Sequence, residues 1–137
     1  MRLLFIKKIY MEEIISNINW LAVVVGAVIS FILGGFWYSP KMFQKAWIKG
    51  TGISPNDKGS VAHPIIVQAI GTFLYAWVIG VTIQMDFLAL AILIILTLAI
   101  LVKANGLFVR KSLAAVRIES GFILVMGIIM ILVHMII

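Results

Sequence analysis

Two histidines, five carboxylates and eleven Lys or Arg residues are the reactive inventory of this chain, and cysteine is absent. Without cysteine there are no disulfides, thiolate nucleophiles or Cys-ligated metals. No His-Glu-x-x-His helix, serine nucleophile elbow or glycine-rich phosphate loop occurs. Glu12 and Glu13 are adjacent, so on a helix they diverge by about 100° and cannot bracket a bond. His134, one turn from the C-terminus, offers a metal or a proton relay no second ligand. The expected tally is therefore no catalytic residue, no cofactor, no metal site and no enzymatic activity. Two constellations remain. Lys103 and Glu119 each stand near the same end of an apolar stretch and could pair, with Arg117 competing for the carboxylate. The ordinary reading is a snorkelling helix-end salt bridge; the sharper one is a charge-gated mouth. Gln68, Thr72, Ala76, Gly80 and Gln84 recur every four residues, a stripe that serves either helix contact or, through Gln68, Thr72 and Gln84, a polar path.

These residues are positioned by four apolar stretches at 19–38, 65–84, 87–106 and 118–137. Twenty helical residues at about 1.5 Å each span the ~30 Å hydrocarbon core of a bilayer. Hydrophobic residues make up 64% of the chain, charged residues only 12%, and the mean hydropathy is +1.19. Soluble domains are nearer ~45–50% apolar, so the expected class is an all-α, polytopic four-helix bundle forming a single membrane domain over 1–137. Loop one carries Lys41, Lys45, Lys49 and Lys58, and connection three carries Lys103, Arg110, Lys111 and Arg117. Connection two has only Asp86, and the tail has Arg2, Lys7 and Lys8. The positive-inside rule then places loops one and three in the cytoplasm of a bacterial inner membrane, with both termini outside. On this topology His63 and His134 lie on opposite sides. The net charge of +6 is accounted for by anionic lipid, with no nucleic acid partner.

The first stretch carries a small-residue ridge, Ala22, Gly26, Ser30 and Gly34, that lets another helix approach closely. The ridge offers more small surface than one neighbour needs, so a homo-oligomer is expected, and contact with other membrane proteins is open. After it, Ser39 suits an N-cap, Pro40 the first helical position, and Gly50 or Gly52 the stop, giving a short interfacial helix at about 40–49. Lys41, Lys45 and Lys49 share one face of it, opposite Phe43, Ala46 and Trp47. The lysines are expected at lipid phosphates and the rings in the membrane, with Trp37, Tyr38 and Trp47 as an aromatic belt. Ser54-Pro55-Asn56-Asp57 reads as a turn or helix start. The N-terminal tail forms an imperfect amphipathic pattern, with Tyr10, Ile14 and Ile18 opposite Lys8, Glu12 and Ser16. It is an interfacial helix or an extension of the first span, and Met11 offers a second start site. It lacks the cleavage site of a secretory signal.

The run Asn19-Trp20-Leu21-Ala22-Val23, then Gly34, Trp37-Tyr38-Ser39-Pro40, Phe43 and Trp47, resembles a bacterial membrane family known as domain of unknown function seventeen-sixty-one. Tyr75, Ala76, Asn105 and the pair Arg110-Lys111 stand where that family leads one to expect them. A histidine the family often carries early in span four is replaced by the run Ser120-Gly121-Phe122-Ile123, so no role for it transfers. The resemblance implies a four-helix membrane protein and leaves its activity blank.

Proton-coupled transport is disfavoured, because residues 21–36 hold no carboxylate at membrane depth. The expectation is a small structural or accessory membrane protein contacting anionic lipid. The alternative is a homo-oligomeric channel or uncoupled transporter for a small solute.

Overall fold

The computed structural model describes residues 1–53 and 59–137, with the side chains of 8–10 excepted. Lys58, the turn expected at Ser54-Pro55-Asn56-Asp57, and the side chains of Lys8 and Tyr10 lie outside the described residues. The described chain is helical: α1 (Arg2–Ile15), α2 (Trp20–Trp37), α3 (Gln44–Thr51), α4 (Ala62–Gln84), α5 (Leu88–Phe108) and α6 (Leu113–Ile136). Four of these, α2, α4, α5 and α6, are long and apolar enough to cross a membrane. They match the four expected stretches, with α4 and α6 beginning three and five residues earlier.

Helix starts follow local chemistry. Asn19 caps α2 by accepting the Ala22 N–H at 3.1 Å, and Ser112 caps α6 by accepting the Ala115 N–H at 3.1 Å. The Ser112 cap explains why α6 begins well before the uninterrupted apolar run. The tail is a separate helix rather than an extension of the first span. Its end is tied down where Trp20 Nε1 donates to the Ile15 carbonyl at 2.9 Å and Trp77 Nε1 to the Ile14 carbonyl at 2.7 Å.

The two tight connections are built the same way. After α4, the Phe87 N–H reaches the Thr82 carbonyl at 2.8 Å, with Asp86 left-handed at φ 57°. After α5, the Lys111 N–H reaches the Gly106 carbonyl at 3.0 Å, with Arg110 at φ 62°. Both are Schellman stops in which glycine is the usual left-handed residue. A non-glycine residue there costs about 1–2 kcal/mol, less for Asp. Arg110→Gly is therefore expected to stabilise the fold by about 1 kcal/mol. A higher midpoint in detergent unfolding checks it, and a lower one would mean the arginine side chain contributes more than its backbone costs.

α6 is the central element. The rest of the chain buries 44% of its apolar stretch, against 17% for α5. It packs on α2, α3, α4 and α5, and α5 rests mainly on α6 and only lightly on α4 despite their short link. Ile79, Met126, Met130, Val23 and Val116 are fully enclosed.

The small-residue ridge of α2 is used inside this bundle. Ala22, Gly26 and Ser30 are buried, and Gly26 lies against Met130 and Val133. Gly34 sits close under the Phe122 ring, so a Cβ there would stand 3.0 Å from Cζ. The ridge is thus a seam between α2 and α6, and it is not surplus surface for a second copy. The stripe on α4 resolves similarly. Thr72, Ala76 and Gly80 are buried and only its ends, Gln68 and Gln84, are exposed. The Thr72 hydroxyl donates to the Gln68 carbonyl oxygen at 2.7 Å and is only 2% exposed. A path lined jointly by Gln68, Thr72 and Gln84 is therefore not present along this helix, because its middle is packed against neighbours.

Candidate functional site

Polar chemistry concentrates at the end of the bundle where α3 meets the start of α6. The sequence predicted a helix from Pro40, but the chain leaves α2 at Trp37 and enters no helix there. A residue before proline disfavours the helical region, and here the chain turns. The Ser39 carbonyl accepts the N–H groups of Met42 at 3.0 Å and Gln44 at 3.2 Å, and the Phe43 N–H donates to the Trp37 carbonyl at 3.2 Å. The Ser39 hydroxyl is buried and caps nothing, so α3 starts at Gln44. Of the two glycines expected to end it, Gly50 lies within the helix and Gly52 is the stop, with a φ of 74° that glycine adopts without strain.

α3 then docks on α6. The Ser112 N–H donates to the Gly50 carbonyl at 2.9 Å. Gly50 is pressed against Ser112 and Ala115, and a Cβ there would stand 2.7 Å from that of Ala115. This contact fixes Trp47 over the second turn of α6. Its Nε1 donates to Glu119 Oε1 at 2.9 Å, and Lys111 Nζ lies 2.6 Å from the same oxygen. The Glu119 side chain is 13% exposed and that of Lys111 28%. One carboxylate oxygen therefore joins an indole on α3 to an ammonium just before the α6 cap. Such charge-assisted bonds are the strong class.

The neighbouring rings complete the enclosure. Trp37 Nε1 donates to the Ile118 carbonyl at 3.0 Å. Tyr38 meets Trp47 edge-on at 5.1 Å between centroids and Phe122 at 5.5 Å. Trp37 lies 4.8 Å from Phe43. Burial first, and then the negative charge of Glu119, raise the Tyr38 phenol well above its ordinary range, so it stays neutral.

Several expectations are corrected by this geometry. Glu119 pairs with Lys111, not Lys103, which is half-buried and makes no ion pair among the described residues. Lys111 immediately precedes the Ser112 cap, so its side chain reaches back along the first turns of α6. Lys103 lies on α5, one turn before Gly106, the residue of that helix that faces Glu119 and Lys111. The rings of Trp37, Tyr38, Phe43 and Trp47 do not form an outward belt. They turn in toward α6 and are half-buried, because two of them find polar acceptors there. Lys41, Lys45 and Lys49 are exposed, but Lys41 lies in the turn ahead of α3 and not on a helix face shared with the other two. Lys111 and the Gly50 to Ser112 contact were missed. The only signal for them was Ser112 as a cap, which would have moved the start of α6 and brought Lys111 beside it.

Chemically this cluster is a clamp: its carboxylate is occupied by two donors. Among the described residues, no group of three or more His, Asp or Glu side chains gathers to hold a metal. His63 is exposed at the start of α4, and His134 stands near the end of α6, where Nδ1 donates to the Met130 carbonyl at 2.8 Å. The two histidines are at opposite ends of the bundle.

A family model described as "Protein of unknown function (DUF1761)" matches residues 21–135, from the first turn of α2 to the last of α6. The chain belongs to this family. Membership bears out the resemblance carried by the Trp-Tyr-Ser-Pro corner, Phe43 and Trp47. In the DUF1761 chain described above, two of those residues, Trp37 and Trp47, donate to Ile118 and Glu119 on α6. No curated protein and no solved structure matches the chain.

Proposed function

We propose that this DUF1761 protein is a small non-enzymatic, structural or accessory protein of the bacterial plasma membrane. It presents a rigid lysine face to anionic headgroups on the cytoplasmic side, with both termini outside. The observation that carries this reading is the way α3 is held. Its rings and its glycine are fixed to α6, while Lys41, Lys45 and Lys49 stay in the open. An ammonium near an anionic surface is worth about 1 kcal/mol. Three on one immobilised turn-and-helix unit form a site whose ordering cost is met by the clamp. Arg110 and Arg117, also exposed at this end, extend the same basic surface. The packed centre of the α4 stripe gives no support to a conduit within one copy.

The test is lipid retention. The protein is extracted gently from membranes of mixed phosphatidylglycerol and phosphatidylcholine, and its bound lipid is weighed by native mass spectrometry. Preferential phosphatidylglycerol is expected on the wild type. The triple change Lys41→Gln, Lys45→Gln, Lys49→Gln should lower that preference by on the order of tenfold or more while leaving thermal stability unchanged. Equal retention of the anionic lipid by both proteins would sink the proposal.

A further inference from the structure

α4 is unusual among the four long helices in having no buried face over its first ten residues. Residues 62–71 are all exposed, and the first buried position is Thr72. α5 also faces outward over much of its length, yet it keeps a buried residue at intervals, Ala91, Ile95, Ala99 and Gly106. Among the described residues, almost three turns at the start of α4 therefore present no buried face to another helix. Lipid alone would be an ordinary occupant were this surface wholly apolar. It is not.

Gln68 lies six residues into the helix, about 9 Å along its axis. Helical side chains normally lean toward the N-terminus, which here would carry the amide toward the headgroups. Instead Gln68 Nε2 donates to Thr72 Oγ1 at 3.3 Å, one turn deeper. The amide oxygen and the second amide hydrogen have no partner among the described residues. Gln68 is the fourth residue of the apolar stretch 65–84, and a carboxamide left short of partners there is costly unless something both donates to it and accepts from it. Another carboxamide does both. Two copies inserted in the same orientation by their lysine and arginine bias are related by a two-fold axis along the membrane normal. Residues of equal depth then meet, and Gln68 meets itself. Gly71 is on the same side, one turn on, with open space where its Cβ would be, so the two backbones can approach there.

We propose that the first half of α4 is the seam of a symmetric parallel dimer closed by a pair of Gln68 amide hydrogen bonds. The partner is a second copy of this chain. This replaces the ridge of α2, which is consumed by α6, as the site of self-association, and it does not depend on the lipid-binding reading.

The chain's lack of cysteine makes the test clean. Ile65 is 49% exposed on the Gln68 side of α4, and Leu101 is 54% exposed on α5. Ile65→Cys, oxidised in native membranes, should convert mainly to a disulfide-linked dimer, whereas Leu101→Cys should stay monomeric. Adding Gln68→Leu to Ile65→Cys should weaken association on the order of tenfold. Because both positions face outward, the unfolding midpoint should stay at the wild-type value, which separates loss of the seam from loss of the fold. Ile65→Cys cross-linking no more than Leu101→Cys, or Gln68→Leu leaving the yield unchanged, would overturn the dimer and return this surface to lipid.

Discussion

Glu119→Leu is expected to lower stability by about 2–4 kcal/mol, the largest effect of any single polar change in the bundle. The estimate rests on what is left behind. Both the Trp47 indole N–H and the Lys111 ammonium lose their acceptor, and removing one partner of a largely enclosed pair strands the other charge. Lys111 retains enough exposure to relax toward water, which keeps the loss below that of a fully buried pair. Glu119→Gln keeps an acceptor for the indole and gives up only the charge, so it should cost roughly half as much. Trp47→Phe removes the indole bond and leaves the ion pair intact, and should cost about 1 kcal/mol. The readouts are the unfolding midpoint in detergent and the rate of tryptic cleavage after Lys45 and Lys49. Cleavage should rise in the order Trp47→Phe, Glu119→Gln, Glu119→Leu, because trypsin needs α3 undocked. Equal cleavage in all four proteins would show that α3 is held by something other than this carboxylate.

Gly127→Leu is expected to prevent assembly, and even Gly127→Ala to destabilise by about 1–3 kcal/mol. At this site α4, α5 and α6 converge on a single backbone atom. A Cβ on Gly127 would stand 2.5 Å from Ile95 Cγ1 and 2.6 Å from both Ile95 Cδ1 and the Tyr75 hydroxyl oxygen. None of these can retreat cheaply. Ile95 is branched at Cβ and buried, and the Tyr75 hydroxyl is anchored by donating to the Ile123 carbonyl at 3.1 Å. Gly35 is the control: nothing lies within 4 Å of its Cβ position, so Gly35→Ala should be neutral or slightly stabilising. The comparison is made by fluorescence-detected size exclusion after heating. Matching profiles for Gly127→Ala and Gly35→Ala would contradict the packing described for α5 and α6.

These contrasts show what hydropathy conveys and what it leaves out. The spans were legible because crossing a bilayer requires length and apolarity, which are local properties of Trp20–Trp37, Ala62–Gln84, Leu88–Phe108 and Leu113–Ile136. The stop at Gly52 was legible for the same reason: it is a backbone conformation that glycine supplies on its own. Which face meets which helix was not. Gly26 and Gly34 announced a close approach without naming α6 as its target, and surplus was inferred where none exists. The rings at Trp37 and Trp47 matched the pattern of an interfacial belt, since aromatic residues near a span boundary serve lipid and protein equally well. Their direction was decided by two acceptors, the Ile118 carbonyl and Glu119, that lie over seventy residues away. No periodicity in a window of ordinary length carries that information.

The distance along the chain between Trp47 and Glu119 also sets a timetable. The two are 72 residues apart, and the carboxylate belongs to the last helix. At a synthesis rate of roughly 5–20 residues per second, α3 emerges roughly 4–14 s before the surface it docks on. During that interval its indole and the pressed-down Gly50 lack the α6 partners that later enclose them. α2 waits too, because the seam along Gly26 and Gly34 is completed by the same late arrival. α6 thus acts as a keystone, and the segment it pins must keep its docking face intact until that helix has been made.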